Sequence, residues 1–300
     1  MASSGPVPSV AAVDARHANR RGIRLMVAAM ACFVVNDTIV KYVSESMPAA
    51  QLIFVRGLLA SLLVFAIARA RGVALRPAQL ARGWTAGRAL IDAVASVMFL
   101  VALFHLPIAN ATAINMAAPL FITVLAVVVL RERVDTARWF AVVVGFLGVT
   151  LVIRPGADGF NAFALLCLGA TLLHAVRDLV TRRIPPGVPS LAITFATAVA
   201  VTLLAGALSL LEGFRAFGLG ELGLLAAASV FLSVGYLVVI ASVRVGDISV
   251  TAPWRYTGLL WAVLLGWVIW GHVPDGPGWA GIALVVCAGL YLVQRERMRR

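Results

Sequence analysis

Residues 109–154 read ANATAINMAAPLFITVLAVVVL, then RERVDTAR, then WFAVVVGFLGVTLVIR, and the chain writes this grammar twice. An apolar helix with Asn115 and Pro119 in its first half leads to a short charged turn and a Trp. A second apolar helix with Gly145 and Gly148 follows. Moved forward by 140 residues, the pattern recurs from Ser249 to Gln294: Asn115 falls on Arg255, Asp135 on Asp275 and Trp139 on Trp279. At the start of each half an offset of 141 lays Asn36-Asp37 on Arg177-Asp178 and Pro48 on Pro189. A correspondence this long marks duplication of a whole structural unit.

Composition sets the class. Hydrophobic residues make up 62% of the 300 and charged residues 13%, with a mean hydropathy of +0.98. Soluble domains are about half apolar and about a quarter charged, so the chain is an all-α integral membrane protein. Runs of roughly 20 apolar residues are what a hydrocarbon core about 30 Å thick asks of a helix. Ten such runs fit, near 24–44, 51–69, 87–106, 109–130, 138–154, 160–181, 189–211, 221–243, 248–270 and 277–294. Barrel strands are excluded because they alternate every second residue.

The basic residues predict the orientation. Arg16 to Arg24, Arg69 to Arg88, Arg131 to Arg138, Arg182-Arg183, Arg244 and Arg295 to Arg300 fall on one side of an alternating ten-span topology, with Arg154 and Arg215 on the other. The positive-inside rule then places both termini in the cytoplasm. The net charge of +12 is accounted for by these short loops, with anionic lipid headgroups as the partner. Scattered bases with no soluble domain to carry them argue against nucleic acid. Residues 1–23 read as a disordered cytoplasmic tail and 295–300 as a basic one, around repeats at 24–154 and 160–294. Five spans per half make the duplication an inverted one, a recurrent plan of secondary transporters.

Ionisable side chains inside a span cost about 2.5–3.5 kcal/mol at its centre, so each needs a partner or a watery cavity. Asp37 and Lys41 are four apart with the acid first, the spacing that puts them on one helix face as an ion pair, either functional or a structural clip. Arg177 and Asp178 lie late in the sixth span, where an Arg can reach the headgroups. Arg56 and Arg255 have no acid within a turn of their own helices. Each requires a partner from another helix, such as Asp37 or Asp178, or an anionic ligand group held by the planar guanidinium. Around Arg255, Trp254 and Tyr256 offer aromatic faces, and Asn110 and Asn115 occupy the symmetry-related start of the fourth span. Polar groups converging on an apolar cavity compose a small-molecule site. His174, deep in the sixth span, joins Asp37, Lys41 and Asp178 as proton-coupling or structural candidates. Cys32, Cys167 and Cys287 fall within spans and read as small apolar residues, so neither a metal site nor a cofactor is expected.

These residues carry a resemblance. NDTIVKYV at 36–43, Gln51 to Arg56, RERVD followed by Trp139 and the Gly145/Gly148 helix, then RDLVTRR at 177–183 and APWRYTGLLWAVLLGWVIWGHVPD at 252–275 together resemble the drug/metabolite transporter superfamily. The match is to its group of two EamA-type five-helix repeats, over residues 24–294. One departure is His272, where relatives often carry Glu; the first half keeps Glu132. The resemblance implies a carrier of small metabolites, amino-acid-like, riboflavin-like or nucleotide-related, with a cavity framed by the first, third, fourth, sixth, eighth and ninth spans. The expectation is an inner-membrane carrier working by alternating access. Its rivals are a non-transporting scaffold or sensor and a membrane enzyme, but no phosphate-binding loop and no H-E-x-x-H sequence is present.

Overall fold

A computed structural model describes residues 10–76, 80–129, 131, 134–154 and 161–298. Residues 1–9, 77–79, 130, Glu132 and Arg133, 155–160 and 299–300 lie outside the described residues. The described chain is helical throughout: α1 (Val10–Val43), α2 (Ala49–Ala70), α3 (Gly83–His105), α4 (Ile108–Asn115), α5 (Ala118–Val128), α6 (Thr136–Ile153), α7 (Phe163–Thr181), α8 (Ser190–Glu212), α9 (Leu219–Val245), α10 (Ile248–Thr251), α11 (Thr257–Trp270) and α12 (Gly276–Met298). A 3₁₀ turn at Ala252–Tyr256 joins α10 to α11. Among the described residues nine stretches are long and apolar enough to cross a membrane, with α4 and α5 together as one of them. The tenth crossing is the interrupted run of α10, the 3₁₀ turn and α11.

The two interrupted crossings are repeat-related. α4 ends at Asn115 and α5 starts at Ala118, and the 140-residue offset carries that break onto the boundary between the 3₁₀ turn and α11. Each break has a proline beside it, Pro119 near the start of α5 and Pro253 near the start of the turn. Proline removes a backbone donor and collides with the preceding turn, so a continuous helix is not available at either place.

Pairing of helices runs between the halves rather than within them. α1 packs along α9 and α3 along α7, one contact being the repeat image of the other; α2 pairs with α8, and α6 with α12. The α2–α8 contact lies on the pseudosymmetry axis, where Ser61 and Thr202, 141 residues apart, share a hydrogen bond of 3.3 Å. Gly57 is what permits it, because a Cβ there would stand 2.5 Å from Thr202 Oγ1. The α6–α12 pair depends on glycine in the same way: a Cβ on Gly148 would lie 2.7 Å from the Gly281 carbonyl oxygen. Small residues let helix backbones approach in a solvent that supplies no hydrophobic drive between them.

A repeated clasp closes the α6–α12 pair at both ends. Asp135 caps α6, its Oδ1 accepting from the Arg138 amide, and its Oδ2 meets Arg295 Nη1 of α12 at 3.0 Å. Asp275 stands before α12, accepts from the Gly278 amide, and pairs with Arg154 at the end of α6. A carboxylate at a helix start and a guanidinium at a neighbour's end both complement the helix dipoles. The hydrogen bond from Arg154 holds the Asp275 carboxyl below the usual carboxylate range. That contribution is present above the ordinary carboxylate pKa and is lost as pH falls through the depressed one.

One boundary differs from the sequence expectation. Residues 10–23, read as part of a disordered tail, are the first turns of α1. They are held because Asn19 exchanges two hydrogen bonds with Asp247, at 2.8 and 3.2 Å, and Ser242 donates to the Gly22 carbonyl. Gly22 and Gly246 allow that approach, since a Cβ on Gly22 would meet the Gly246 Cα at 3.0 Å. At the other end of the bundle Gln51, fully buried, holds the α8–α9 loop through both backbone groups of Arg215.

Replacing Gly148 by valine must push α6 off the Gly281 backbone. The expected cost is about 1–3 kcal/mol, read as a lower thermal midpoint of the detergent-solubilised protein, with Gly87→Val, at a site with no neighbour within 4 Å, as the control for altered propensity alone.

Candidate functional site

Two polar clusters occupy places made equivalent by the repeat, each at a contact between the halves. Where α3 meets α7, Arg177 of α7 is the hub. Its Nη1 donates to Asp92 Oδ1 of α3 at 2.8 Å, while Nε and Nη2 donate to Asp178 Oδ1 at 3.0 and 2.8 Å. Arg88, one turn before Asp92 on α3, donates to Thr181 Oγ1 at 2.9 Å and to Thr197 Oγ1 of α8 at 2.7 Å, with Asp92 Oδ2 3.5 Å away. Two guanidinium groups and two carboxylates thus satisfy one another, which is what permits charge among apolar helices.

Where α1 meets α2 and α9, the equivalent positions hold Asn36 and Asp37 on α1, Arg56 on α2, and Ser229 and Ser233 on α9. Arg56 Nη1 donates to Asn36 Oδ1 at 3.2 Å, and Asn36 Nδ2 donates to Asp37 Oδ1 at 2.8 Å. Ser229 donates to the Arg56 carbonyl at 3.2 Å, the repeat image of the Arg88–Thr197 contact. Arg56 is only 7% exposed, and its Nε has no hydrogen-bond partner among the described residues.

Aromatic rings stand between the clusters. Phe33, one turn before Asp37 on α1, meets Tyr236 of α9 edge-on at 5.1 Å between centroids. Gly235 makes room, since a Cβ there would lie 2.8 Å from the Phe33 ring. Tyr236 is within electrostatic range of Asp92, Arg177, Arg88 and Arg56, joining the two clusters across the interior. On the fourth-span side His174 Nδ1 lies 3.2 Å from Asn115 Oδ1, with the Phe99 ring at 6.2 Å.

Lys41 departs from the sequence expectation. It forms no clip with Asp37; buried, it donates to the carbonyl oxygens of Leu103 and Phe104 at 2.8 and 3.1 Å, with Trp270 at 5.6 Å in cation–π range. These carbonyls are free because α3 ends at His105, and a cation at a helix C-terminus also complements the dipole. The helix end beside it outcompetes the acid one turn away.

The candidates around the ninth span do not converge on one spot. Trp254 and Arg255 are exposed, and Arg255 has no hydrogen bond or ion pair among the described residues. Arg255 shares a face with Gly258, three residues on, which packs on Met116 and Met30. Tyr256 turns the other way: its hydroxyl is buried against Gly289 of α12, without a hydrogen-bond partner among the described residues. Asn110 lies elsewhere again. α4 and α11 run antiparallel, with Ile108 against Gly266 and Met116 against Gly258, so Asn110 faces the far half of α11. There it lines a cavity of about 420 Å³ with Asn161, His272, Arg154 and Asp275.

The sequence reading omitted Asp92, Phe33 and Tyr236. The Arg88-Asp92 spacing of four residues was a usable signal for the first. Nothing local distinguished the two rings from ordinary apolar helix residues.

Helices interleaved from two five-span repeats, two crossings broken at equivalent places and a charged interior define a multi-pass membrane transporter. The EamA-like transporter family matches residues 20–154 and again residues 161–294. The chain belongs to this family, within the drug/metabolite transporter superfamily. It is 27% identical to the pseudopaline exporter CntI of Pseudomonas aeruginosa over 93% of this chain and 98% of that one. With the riboflavin transporter of Vibrio cholerae it shares 28% identity over 94% and 95% of the two chains. The S-adenosylmethionine uptake transporter of Rickettsia prowazekii is 25% identical over 64% of this chain and 65% of its own. A solved crystal structure, 18% identical, shares the fold with a TM-score of 0.60 over 92% of this chain and 99% of that one.

Replacing Asp92 by alanine leaves Arg88 and Arg177 with a lost partner in the interior. Breaking a buried pair from one side costs about 3 kcal/mol, so Asp92→Ala is expected to lower the thermal midpoint in detergent more than Asp247→Ala, which removes one exposed bond from Asn19.

Proposed function

We propose that the protein is a secondary carrier that moves a small polar or amphipathic metabolite across the inner membrane by alternating access, with both termini in the cytoplasm. The observation that carries this is the pair of interrupted crossings, α4–α5 and α10–α11, related by the repeat and packed against each other beside an interior charge network. In inverted-repeat carriers discontinuous helices frame the substrate near the midplane, and one part rocks against another around it. The named substrates of the relatives, pseudopaline, riboflavin and S-adenosylmethionine, support an organic metabolite with several polar groups. The basic loops support the assigned orientation, and anionic headgroups are their partner.

Within this reading the site residues take distinct stations. Arg56 serves the interior, with Asn115 and His174 on the fourth-span side. Arg255 and Trp254 stand at the mouth on the cytoplasmic half, where an exposed guanidinium meets an anionic group of an arriving solute. Tyr256 steadies the break against α12, and Asn110 serves the cavity at the opposite end. Asp178 is the candidate for proton coupling: its side chain is 44% exposed and its hydrogen bonds among the described residues all use Oδ1.

Flux in proteoliposomes tests the reading, with labelled riboflavin and S-adenosylmethionine as first solutes. Arg255→Ala is expected to reduce flux by about tenfold, the loss of one charge-assisted contact, while leaving the thermal midpoint unchanged; undiminished flux removes Arg255 from the path. Asp178→Asn is expected to abolish accumulation driven by a pH gradient yet preserve counterflow exchange. If gradient-driven accumulation persists, the coupling assignment to Asp178 fails.

A further inference from the structure

We infer that the Arg56–Asn36–Asp37 group is a headgroup subsite and that it takes an amino-carboxylate zwitterion, with the carboxylate on Arg56 and the ammonium on Asp37. The inference rests on the carrier reading above and names the substrate class of its interior site.

Its basis is a difference between two places that the repeat makes equivalent. The cluster where α3 meets α7 holds two cations and two anions, Arg88, Arg177, Asp92 and Asp178, and they close on one another. The cluster where α1 meets α2 and α9 holds Arg56 and Asp37. There Ser233 stands in the place of Asp92 and Asn36 in the place of Arg177. Relative to its counterpart this cluster lacks one carboxylate and one cation.

The unfilled valences are visible. Arg56 is 93% buried with one side-chain bond, to Asn36, and Nε has no partner among the described residues. Ser233, at the place where the other cluster has Asp92, is buried, its hydroxyl also without a partner among the described residues. Such groups are expensive in hydrocarbon unless something occupies them. No direct ion pair joins Arg56 to Asp37 among the described residues, because the Asn36 amide stands between them, accepting from one and donating to the other. The amide holds opposite charges apart without quenching either.

A molecule that satisfies both ends must present an anion and a cation a few ångströms apart. A planar guanidinium selects a carboxylate, and a half-buried carboxylate with one neutral donor selects an ammonium. An α-amino acid head presents the two on one carbon. The Phe33–Tyr236 pair lies one turn away, and Tyr236, 43% exposed, offers a ring face to the rest of the solute.

The test is thermal stabilisation of the full-length protein in detergent by matched probes. L-phenylalanine, L-methionine and S-adenosylmethionine carry the intact head; 3-phenylpropionate lacks the ammonium, phenethylamine lacks the carboxylate, and riboflavin lacks both. The expected result is a raised midpoint with at least one zwitterion, with the single-charge analogues needing concentrations at least about tenfold higher. Ser233→Asp restores the missing carboxylate inside the protein. It is expected to keep or raise the basal midpoint while abolishing the zwitterion response, so the subsite stays testable even where Arg56→Gln fails to fold. Absence of stabilisation by all three zwitterions overturns the inference. So does a zwitterion response that is equal in the parent and in Ser233→Asp, an outcome that leaves the carrier reading intact. The carrier reading itself fails separately, through absence of flux of every solute in proteoliposomes.

Discussion

Hydrocarbon offers no hydrogen-bond partner, so every polar group drawn into the spanning part of this chain has to find one inside the protein. Arg88 and Arg177 meet that demand with two carboxylates and two threonine hydroxyls, and Lys41 meets it with the open carbonyls at the end of α3. Each of these solutions draws on another crossing. The same demand decides where the chain can be irregular: the breaks after Asn115 and at Ala252–Tyr256 pack on one another or on α1, with Met116 and Met30 against Gly258. Satisfaction is therefore collective, and the places among the described residues where it is incomplete, Arg56, Arg138, Ser233 and Tyr256, stand out against it.

Interleaving follows from this economy. Because α1 packs along α9 and α3 along α7, neither repeat encloses a core of its own, and the sequence units are not separate folding domains. The axis contact of Ser61 with Thr202 and the paired clasps Asp135–Arg295 and Asp275–Arg154 show duplication preserved in geometry where the side chains have diverged. A bundle held at both ends of α6–α12 and closely packed along α2–α8 has its freedom elsewhere, in the elements around the two breaks. That is where an alternating-access carrier has to move.

Divergence between equivalent sites carries the chemistry. One cluster is a closed network of two cations and two anions, which fixes α3 against α7. Its counterpart keeps one of each, separated by an amide, beside an aromatic pair. Backbone symmetry and side-chain asymmetry thus coexist, and only one of the two equivalent places is left with unfilled valences.

Much of this was written in the chain. Hydropathy fixed the helical membrane class and the ten crossings, since no other structure shields a backbone in lipid. The 140- and 141-residue offsets fixed the repeat and the equivalence of Asn115 with Arg255, because periodic backbone needs leave periodic residues. Arg56 was legible as a charge without a local partner. Tertiary structure alone decided the partners. It sent Lys41 to the end of α3 rather than to Asp37, joined Arg177 to Asp92, turned Tyr256 toward Gly289, and separated Asn110 from Arg255 by the length of α4. It also carried the α1 helix back to residue 10, where Asn19 and Gly22 meet Asp247 and Gly246. The reason is common to all of these: helical spacing tells which residues share a face, whereas the partner of a buried charge is set by which helix lies opposite, one of the same half for Lys41 and Arg56 and one of the other half for Arg88 and Arg177.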